Sequence, residues 1–461
     1  MDARSLKFVT EACAAEIRRG AAETLVANVC TDSRAAKAGD LFFAIKGEKF
    51  DGHDFINEVA AKGVAAVMVD GKKIPTQLPD CAVLVVKDVR TALGKLAAAY
   101  RKDFSLPVIA VGGSNGKTTV KELLASGLRQ KFSMLWSEAS FNNDIGVPLT
   151  LLRLEKSHQA AVLEAGTNHP GELAPLVKMI APKFGVITNI GREHLEFFGD
   201  VAGVAQEEGW LAELLPADGK LFINGDNEWS EKVTVRTKAQ IVRVGLGEKN
   251  NWRAEKIRLD KNGVTFQVVA PQEEYCGEYR INLLGRHQVT NSLFAVAVGG
   301  ELGLGRAEIQ RGLADCQPPK MRLQFWEAGG VRVLDDAYNA NADSTIAALE
   351  TLCDLPLQGR RVAVLGDMEE LGSHSEAAHA EVGRRAAELG IGQLFTVGKM
   401  SAFIAKAARD AGLTRVIEFA DVESALRAVK NFLKAGDVVL LKASRASRLE
   451  RIAETLKSEK S

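Results

Sequence analysis

The fold of this chain is decided by residues 107–119, which read Pro107-Val108-Ile109-Ala110-Val111-Gly112-Gly113-Ser114-Asn115-Gly116-Lys117-Thr118-Thr119. The first five residues are apolar and predict a short buried strand, and Thr119-Val120-Lys121-Glu122-Leu123-Leu124 predicts the first turns of a helix. A glycine-rich turn between a strand and a helix directs backbone N–H groups and the helix N-terminus at phosphate groups. In such a loop the lysine, Lys117, reaches the outer phosphates and the threonine, Thr118, holds Mg²⁺.

The loop departs from the strict phosphate-loop pattern at Val111, where that pattern has glycine. Gly112 and Gly113 still lie where the backbone must approach a ligand closely. The alternative interpretation is a glycine-rich turn with an exposed lysine. The strand before the turn and the helix after it favour nucleotide binding.

Composition and charge exclude several classes of protein. The chain has 461 residues, 46% of them apolar, which predicts a globular protein of about two to four domains. With 59 basic and 59 acidic residues, nothing favours nucleic acid or an anionic membrane as partner. The six scattered cysteines indicate free thiols in a reducing compartment. We found neither a signal-peptide core at the start nor a long apolar run, so we expect a cytoplasmic protein with no membrane insertion.

Three blocks of sequence are expected to form three domains. Residues 1–103 contain short strands with helical stretches between them, which indicates a smaller α/β domain. Residues 104–316 alternate apolar strands with helical patterns, which predicts a mostly parallel sheet with an antiparallel extension in its polar stretch, 232–280. Gln317-Pro318-Pro319-Lys320 is the best linker candidate. Residues 317–461 predict a second α/β domain.

Polar residues at the ends of predicted strands are the candidates for chemistry. Glu164 ends a buried strand, where an acid can reach Mg²⁺ beside the phosphates. His194 lies in the loop after another strand, at the sheet edge where ligands bind, although a lone histidine is often structural. Glu207 and Glu208 could add a carboxylate to the same crevice, or form an exposed pair on a helix.

Four further loops carry groups that suit a phosphorylated ligand or a nucleotide, although ordinary surface loops would look similar. Two of them lie in the first block and two in the third: Thr31-Asp32-Ser33-Arg34, Lys46-Gly47-Glu48-Lys49-Phe50-Asp51-Gly52-His53, Asp335-Asp336-Ala337-Tyr338-Asn339-Ala340-Asn341 and Lys442-Ala443-Ser444-Arg445.

Taken together, these motifs resemble those of the Mur ligases, ATP-dependent amide-forming enzymes of peptidoglycan synthesis. The resemblance spans essentially the whole chain. Besides the phosphate loop and the four loops above, it rests on Phe42-Phe43-Ala44-Ile45, Asn142-Asn143-Asp144-Ile145-Gly146-Val147-Pro148-Leu149, Gly285-Arg286-His287 with Asn291, and Leu365-Gly366-Asp367-Met368-Glu369-Glu370-Leu371-Gly372. The runs beginning at Asn142 and Asp335 resemble most closely the member that joins D-alanyl-D-alanine to UDP-N-acetylmuramoyl-tripeptide.

The resemblance implies a UDP-substrate domain, a central ATPase domain and a C-terminal Rossmann-like domain that closes on the nucleotide. It implies ATP and Mg²⁺, an acyl phosphate intermediate, and a monomer. ATP contacts are implied for Gly113, Ser114, Asn115, Gly116, Lys117, Thr118, Thr119, Asn291, Arg322, Asp336 and Asn339. Substrate contacts are implied for Ser33, Arg34, Lys46, Gly47, Asn142 and Asn143. Catalytic or metal-binding roles are implied for Lys117, Thr118, Glu164, His194 and Glu208, with His194 holding a second Mg²⁺.

One position departs from the family in a way that bears on catalysis. The family usually has a carbamylated lysine after the histidine loop, and here the matching stretch reads Glu207-Glu208-Gly209-Trp210. We align Glu208 with that lysine, because glutamate supplies directly the carboxylate that carbamylation creates. Ala342 and Ala443, where the family commonly has proline and glycine, affect only local loop geometry.

Three other functions remain open at this point. They are a different amino-acid-adding Mur ligase, a ligase like folylpolyglutamate synthase, and a non-catalytic nucleotide-binding regulator. The long N-terminal block argues against the folate enzyme, which does not need UDP-type loops. Only the missing lysine favours a regulator.

Overall fold

A computed structural model describes residues 1–458 as a mixed α/β protein with several mostly parallel sheets. The chain forms two compact units. The first unit comprises Met1–Ala110, Phe132–Thr167 and Glu172–Phe184. The second comprises Val111–Lys131, Asn168–Gly171 and the chain from Gly185 onward.

The strands, in chain order, are β1 Arg4–Ser5, β2 Glu16–Arg19, β3 Leu25–Val26, β4 Asn28–Cys30, β5 Asp40–Phe43, β6 Ala66–Asp70, β7 Ala82–Val86, β8 Val108–Gly112, β9 Met134–Trp136, β10 Ala160–Glu164, β11 Phe184–Ile187, β12 Lys220–Asn224, β13 Gln240–Gly245, β14 Trp252–Asp260, β15 Gly263–Val269, β16 Gly277–Ile281, β17 Gln324–Ala328, β18 Val331–Asp335, β19 Arg361–Gly366, β20 Gln393–Val397, β21 Val416–Phe419 and β22 Val438–Lys442.

The α-helices, in chain order, are α1 Leu6–Cys13, α2 Ile56–Ala61, α3 Val89–Arg101, α4 Lys117–Leu128, α5 Gly146–Leu151, α6 Leu173–Ile180, α7 Leu195–Phe198, α8 Val201–Glu213, α9 Ser230–Thr234, α10 His287–Glu301, α11 Arg306–Asp315, α12 Ala342–Asp354, α13 Ser375–Glu388, α14 Ser401–Asp410, α15 Val422–Phe432 and α16 Glu450–Lys457.

The first unit holds a five-stranded sheet in the order β2-β7-β6-β5-β4. Its strands are parallel except β2, which pairs antiparallel with β7. Strand β5 is buried at all four positions because a parallel sheet is covered on both faces. Phe42, Val67 and Val83 pack in the core of this sheet together with Ile56 and Val59 of α2. The same unit contains β9 and β10, which pair in parallel.

In the second unit, the strands β11 to β16 lie in the order β16-β15-β14-β13-β12-β11. Strands β12, β13 and β14 are parallel, whereas β15 runs antiparallel to both β14 and β16. The antiparallel extension predicted for residues 232–280 is therefore present from β14 to β16. Its alternation of apolar and polar residues gives one buried face, as in Val264, Phe266 and Val268.

The second unit also contains a six-stranded sheet formed by residues 324–442, in the order β17-β18-β22-β19-β20-β21. All its strands are parallel except β17, which pairs antiparallel with β18. Val333, Val364 and Leu441 are buried in its core with helices α15 and α16. The strands and helices of this part of the chain agree with the α/β pattern predicted for residues 317–461.

The predicted strands agree with the structure to within a few residues, because each is a short run of apolar residues that a parallel sheet buries completely. The helix after the phosphate loop begins at Lys117, two residues earlier than predicted. The predicted linker, 317–320, lies in the connection between α11 and β17. The contact-defined units differ from the three predicted domains, whose bounds stay a prediction.

Across residues 1–458, none of the helices has both the length and the apolar character that crossing a membrane requires.

Candidate active site

The phosphate loop connects β8 to α4, and glycine is required at two of its positions. Gly113 and Gly116 have φ of +107° and +86°, in the left-handed region that side chains rarely adopt. A Cβ on Gly113 would lie 2.4 Å from Thr188 Oγ1. The close packing of the loop against the segment after β11 therefore excludes any larger residue.

The loop is also held by hydrogen bonds from its backbone to Asn189. The Ser114 N–H donates to the Asn189 carbonyl at 2.9 Å, and the Asn115 N–H donates to Asn189 Oδ1 at 2.8 Å. The Gly191 N–H donates to Ser114 Oγ at 2.8 Å. The two loops that follow β8 and β11 thus form one hydrogen-bonded surface at the carboxyl ends of these strands.

Lys117 lies in this loop with its ammonium group held in place. Nζ donates to the Gly113 carbonyl at 2.5 Å and to the Ser114 carbonyl at 3.3 Å, and it lies 3.2 Å from Glu193 Oε2. The lysine side chain is only 13% exposed, so the alternative of a turn with an exposed lysine is wrong. Thr118 and Thr119 are buried in the first turn of α4.

Glu207 and Glu208 lie on α8, and both are buried. The interpretation of these residues as an exposed charge pair is therefore wrong. Glu207 Oε2 accepts a hydrogen bond from the Gly171 N–H at 2.9 Å, whereas Glu208 Oε2 accepts one from the Gly113 N–H at 2.6 Å. Of the two carboxylates, Glu208 is the one that contacts the phosphate loop.

The environment of Glu208 disfavours a negative charge. Its side chain is fully buried, and this burial raises the pKa of the carboxyl, with a further rise from the nearby charge of Glu193. The Lys117 ammonium opposes this effect. Two carboxylates and one ammonium in a buried cluster leave an excess of negative charge, which a bound cation would balance.

His194 immediately precedes α7 and has φ of +47°, in the left-handed region. Its Nδ1 lies 2.6 Å from Glu370 Oε2, in the loop after β19. The contact with His194 lowers the pKa of Glu370. The ring is therefore oriented by a carboxylate from the third sequence block.

Asn291 on α10 lies directly beside the phosphate loop. A Cβ on Gly116 would be 2.8 Å from Asn291 Oδ1, and Asn291 Nδ2 donates to Gln288 Oε1 at 2.8 Å. On the other side of the loop, Asn341 Nδ2 donates to Asn115 Oδ1 at 3.0 Å. The structure thus brings residues from both the second and third blocks to the loop.

Asp336 and Asn339 are grouped around the buried Lys442. Lys442 Nζ lies 2.5 Å from Asp336 Oδ2 and donates to the Asn339 carbonyl at 3.0 Å. Burial lowers the pKa of Lys442. Arg322 lies over the ring of Tyr338, with its guanidinium carbon 4.2 Å from the ring centroid. These polar groups form a second cluster at the carboxyl ends of β18 and β22.

The predicted substrate residues of the first block are in loops of the first unit. Arg34 is paired with Asp32 at 2.6 Å and is highly exposed, and it lowers the pKa of Asp32 to about 2. Ser33 opens the same short turn. The backbones of Lys46 and Asp51 form an isolated antiparallel β-bridge across a tight hairpin. In this hairpin the Gly47 N–H donates to the Phe50 carbonyl at 2.9 Å.

Asn142 and Glu164 are also in the first unit and contact each other. Asn142 Nδ2 donates to Glu164 Oε1 at 2.8 Å, which fixes the carboxylate at the end of β10. Asn143 Oδ1 accepts from the Gly146 N–H at 2.9 Å, at the start of α5. Asn143 thus stabilises the turn that presents Asn142.

Sequence reasoning missed two residues of the site. Glu193 pairs with Lys117, and Glu370 orients His194, but neither has a pattern that separates it from an ordinary acidic loop residue. The available signals were the position of Glu193 immediately before His194 and the place of Glu370 in the run Leu365–Gly372. Contacts between distant loops depend on the tertiary fold, so spacing along the chain does not predict them.

Among the candidate residues, three buried carboxylate oxygens have no hydrogen-bond partner within residues 1–458: Glu164 Oε2 in the first unit, and Glu193 Oε1 and Glu208 Oε1 in the second. An unsatisfied buried carboxylate oxygen is costly and requires a cation or a water. In the same described range, no three histidine, cysteine or acidic side chains gather closely enough to hold a metal by themselves. Mg²⁺ commonly uses only one or two carboxylates, with phosphate oxygens completing its shell.

Fold and site together define a class: a nucleotide-binding α/β protein with a phosphate loop at the carboxyl ends of parallel strands. Comparison with protein families narrows this class. Residues 25–101 match the Mur ligase family, catalytic domain; residues 111–299 match the Mur ligase middle domain; and residues 321–445 match the Mur ligase, glutamate ligase domain. Each match falls inside one of the three predicted blocks.

Individual relatives are similar over nearly the whole chain. The UDP-N-acetylmuramoyl-tripeptide–D-alanyl-D-alanine ligase of Escherichia coli (strain K12) is 38% identical over 443 residues, 95% of each chain. A crystal structure of MurF from Acinetobacter baumannii has a TM-score of 0.91 at 33% identity and covers 99% of each chain. A structure of the MurF ligase from Thermotoga maritima in complex with ADP has a TM-score of 0.82 at 28% identity, covering 94% of this chain and 97% of that one.

The chain therefore belongs to the Mur ligase family. It is an ATP-dependent ligase that forms peptide bonds. The fold class that the sequence predicted is confirmed by these likenesses.

Proposed function

We propose that this protein joins D-alanyl-D-alanine to UDP-N-acetylmuramoyl-tripeptide during the synthesis of peptidoglycan precursors. ATP supplies the energy and leaves as ADP and inorganic phosphate. The protein acts as a monomer in the cytoplasm, and its six free cysteine thiols are compatible with a reducing compartment.

The reaction proceeds through an acyl phosphate. A carboxylate oxygen of the tripeptide attacks the γ-phosphorus of ATP, the bond from that phosphorus to the β-bridging oxygen breaks, and ADP leaves. The neutral amine of the dipeptide then attacks the acyl carbon and loses a proton, and phosphate leaves with the oxygen it took from the carboxylate. Phosphorylation is needed because a carboxylate has no good leaving group.

Lys117 and the backbone N–H groups of the phosphate loop bind and stabilise the phosphoryl group that is transferred. The lysine is already oriented by two backbone carbonyls of the loop and by Glu193. Asn291, Arg322, Asp336 and Asn339 contact the nucleotide. This assignment is supported by the position of Asn291 against Gly116 and by the polar cluster around Lys442.

One Mg²⁺ would be held by Thr118 and Glu164 and a second by His194 and Glu208, and the chemistry of these ions is to neutralise charge on the reacting oxygens. Glu164 and Glu208 each have a carboxylate oxygen without a hydrogen-bond partner within residues 1–458, which fits such a cation. Glu208 contributes a carboxylate without any modification, whereas the family's lysine must first be carbamylated.

The UDP-substrate binds to residues 1–103, through Ser33, Arg34, Lys46 and Gly47. Asn142 and Asn143 contact the same substrate from residues 104–316, the ATP-binding domain, and residues 317–461 form the C-terminal domain. The guanidinium of Arg34 donates to Asp32 through Nε and one terminal nitrogen, and its exposed remaining donors suit the pyrophosphate of a UDP group.

The observation that carries the proposal is the similarity of the E. coli ligase over 95% of the chain, N-terminal block included. A folate ligase has no use for that block. A non-catalytic regulator would not need Lys117 to be held towards the phosphates.

The test is release of ADP with each candidate UDP-muramoyl peptide, with and without D-alanyl-D-alanine. We expect ADP release to require both substrates and the Lys117→Ala variant to be inactive while remaining folded. ADP release that is stimulated by another amino acid instead of the dipeptide would contradict the proposed substrate. Nucleotide binding without turnover in all combinations would indicate a regulator.

A further inference from the structure

Arg192 lies between the phosphate-loop region and the third sequence block, and it forms an extensive ion-pair cluster. Its Nε and one terminal nitrogen donate to Asp343 Oδ1 at 2.9 and 2.5 Å, and its backbone N–H donates to Asp343 Oδ2 at 3.0 Å. Its terminal nitrogens also donate to Glu381 at 2.5 and 3.1 Å. A single arginine therefore engages two carboxylates from two different helices.

One end of this cluster is fixed to the catalytic loops. Arg192 is two residues before His194, and its neighbour Gly191 is hydrogen-bonded to Ser114 of the phosphate loop. A Cβ on Gly191 would lie 2.8 Å from Asp343 Oδ2, so glycine permits the close approach. A displacement of Asp343 from Arg192 would therefore also displace the segment that carries His194.

The other end is fixed to the third block. Asp343 is in the first turn of α12, whose N-cap, Asn341, donates to Asn115 in the phosphate loop. Glu381 is on α13, which follows β19 and the loop containing Glu370. Arg192 thus holds helices α12 and α13. Helix α12 follows Asn339 after β18, and helix α13 follows Glu370 after β19.

We propose that Arg192 is a positioning residue for ligation: its pairing with Asp343 and Glu381 holds the C-terminal domain in the arrangement in which Asn341 meets the phosphate loop and Glu370 meets His194. The expected kinetic effects rest on the proposed function, whereas the expected change in hydrogen exchange does not.

The size of the effect follows from exposure. The side chains of Arg192, Asp343 and Glu381 are 31, 36 and 38% exposed, so solvent screens each pair and neither is expected to dominate folding. Two fork-type pairs acting together are sufficient to change an equilibrium between domain arrangements by about fivefold. Removing them should loosen the domain arrangement without unfolding either domain.

The first test is hydrogen exchange of the full-length chain with Glu381→Gln, which alters a residue far in sequence from the loop that is measured. We expect amide exchange in residues 188–194 to rise about twofold, because the loop loses one of the two ion pairs that support it. The matched control is Arg409→Ala, which removes the Arg409–Glu418 pair within the C-terminal domain and should leave residues 188–194 unchanged. Unchanged exchange in Glu381→Gln would overturn the proposal.

The second test separates positioning from a general structural role. Arg192→Ala should raise the KM for ATP about fivefold and lower kcat, while the Kd for the UDP-substrate stays within twofold of the wild-type value. Arg192→Lys should recover part of the loss, because lysine keeps the charge but not the fork. Equal losses for ATP and for UDP-substrate binding would contradict the proposal. A wild-type protein without dipeptide-dependent ADP release would instead count against the proposed function and leave the exchange result intact.

Discussion

We propose that Glu208 takes the place of the family's modified lysine, and the surroundings of Glu208 support this role. One carboxylate oxygen accepts the Gly113 N–H, and the other is buried with no hydrogen-bond partner within residues 1–458. The first contact fixes the side chain against the phosphate loop. The second oxygen is available to a cation, which would also offset the burial that raises the pKa of this carboxyl.

The corresponding prediction is that activity does not depend on bicarbonate, since no carbamate must form. Glu208→Gln keeps the size and the acceptor for Gly113 but removes the charge. We expect weaker Mg²⁺ binding, so that half-maximal activity needs a higher Mg²⁺ concentration, and a fall in kcat of about tenfold or more, as when a metal site loses a charged ligand or its support. Steady-state kinetics at several Mg²⁺ concentrations, in buffers with and without dissolved carbon dioxide, measure both effects.

The neighbouring glutamate is the matched control. Glu207→Gln keeps the acceptor for the Gly171 N–H and should retain activity within about twofold, because that carboxylate faces another loop. Glu208→Lys should regain activity in added bicarbonate if the longer arm fits. Wild-type activity that disappears when carbon dioxide is removed would show that a carbamylated lysine elsewhere supplies the carboxylate we assign to Glu208.

At the scale of single residues, the sequence indicated which residues are candidates for the site better than it indicated their burial and their contacts. Glu208 was aligned with the family's lysine through the resemblance of its segment, but the burial of Glu207 and Glu208 was not foreseen, because two adjacent acids on a helix normally face solvent. The pairing of Glu193 with Lys117 was missed for a similar reason. Burial and partners depend on which loops the sheet brings together.

Among the elements, β8, the phosphate loop and α4 carry the site, and their sequence predicted them closely. The apolar run before Gly112 and the glycines after it leave few other conformations. Strand order was harder, because parallel strands far apart in sequence pair through contacts that local patterns do not encode. The parallel pairing of β18 with β22 is an example.

Two glycine substitutions test the requirements of this element. Gly113→Ala forces a side chain into left-handed backbone and against Thr188, so we expect the KM for ATP to rise about tenfold or more. Gly127→Ala, on α4, has no atom within 4 Å of the new Cβ and should stabilise the helix by about 1 kcal/mol with ATP kinetics unchanged. Nucleotide titration and thermal unfolding of both variants provide the measurement. Normal ATP affinity in Gly113→Ala would contradict the assigned loop geometry.

On the scale of the whole molecule, we propose that residues 1–103 bind the UDP-substrate, with Asn142 and Asn143 also contacting it, and that the remainder carries the nucleotide chemistry. The sequence indicated three blocks from linker composition and motif content. It gave no means of anticipating how the structure divides into compact units, because that depends on packing between segments distant in the chain.

The variant Arg34→Ala tests whether the UDP-substrate and ATP bind to different domains. Loss of an exposed guanidinium that binds a charged substrate should raise the KM for the UDP-substrate about tenfold and leave the KM for ATP within twofold. Arg18→Ala is the matched control, because Arg18 is also an exposed, paired arginine of the first unit but lies outside the predicted loops. Equal effects of Arg34→Ala on both substrates would count against a separate UDP-substrate domain.

The central claim is that the protein activates a carboxylate by phosphorylation before an amine attacks it. The most direct measurement uses UDP-N-acetylmuramoyl-tripeptide with ¹⁸O in the reacting carboxylate, together with unlabelled ATP and D-alanyl-D-alanine. Mass analysis of the released phosphate should find one ¹⁸O for each amide formed, because that oxygen leaves with the phosphoryl group. Amide formation accompanied by phosphate free of label would contradict the acyl phosphate and the account built on it.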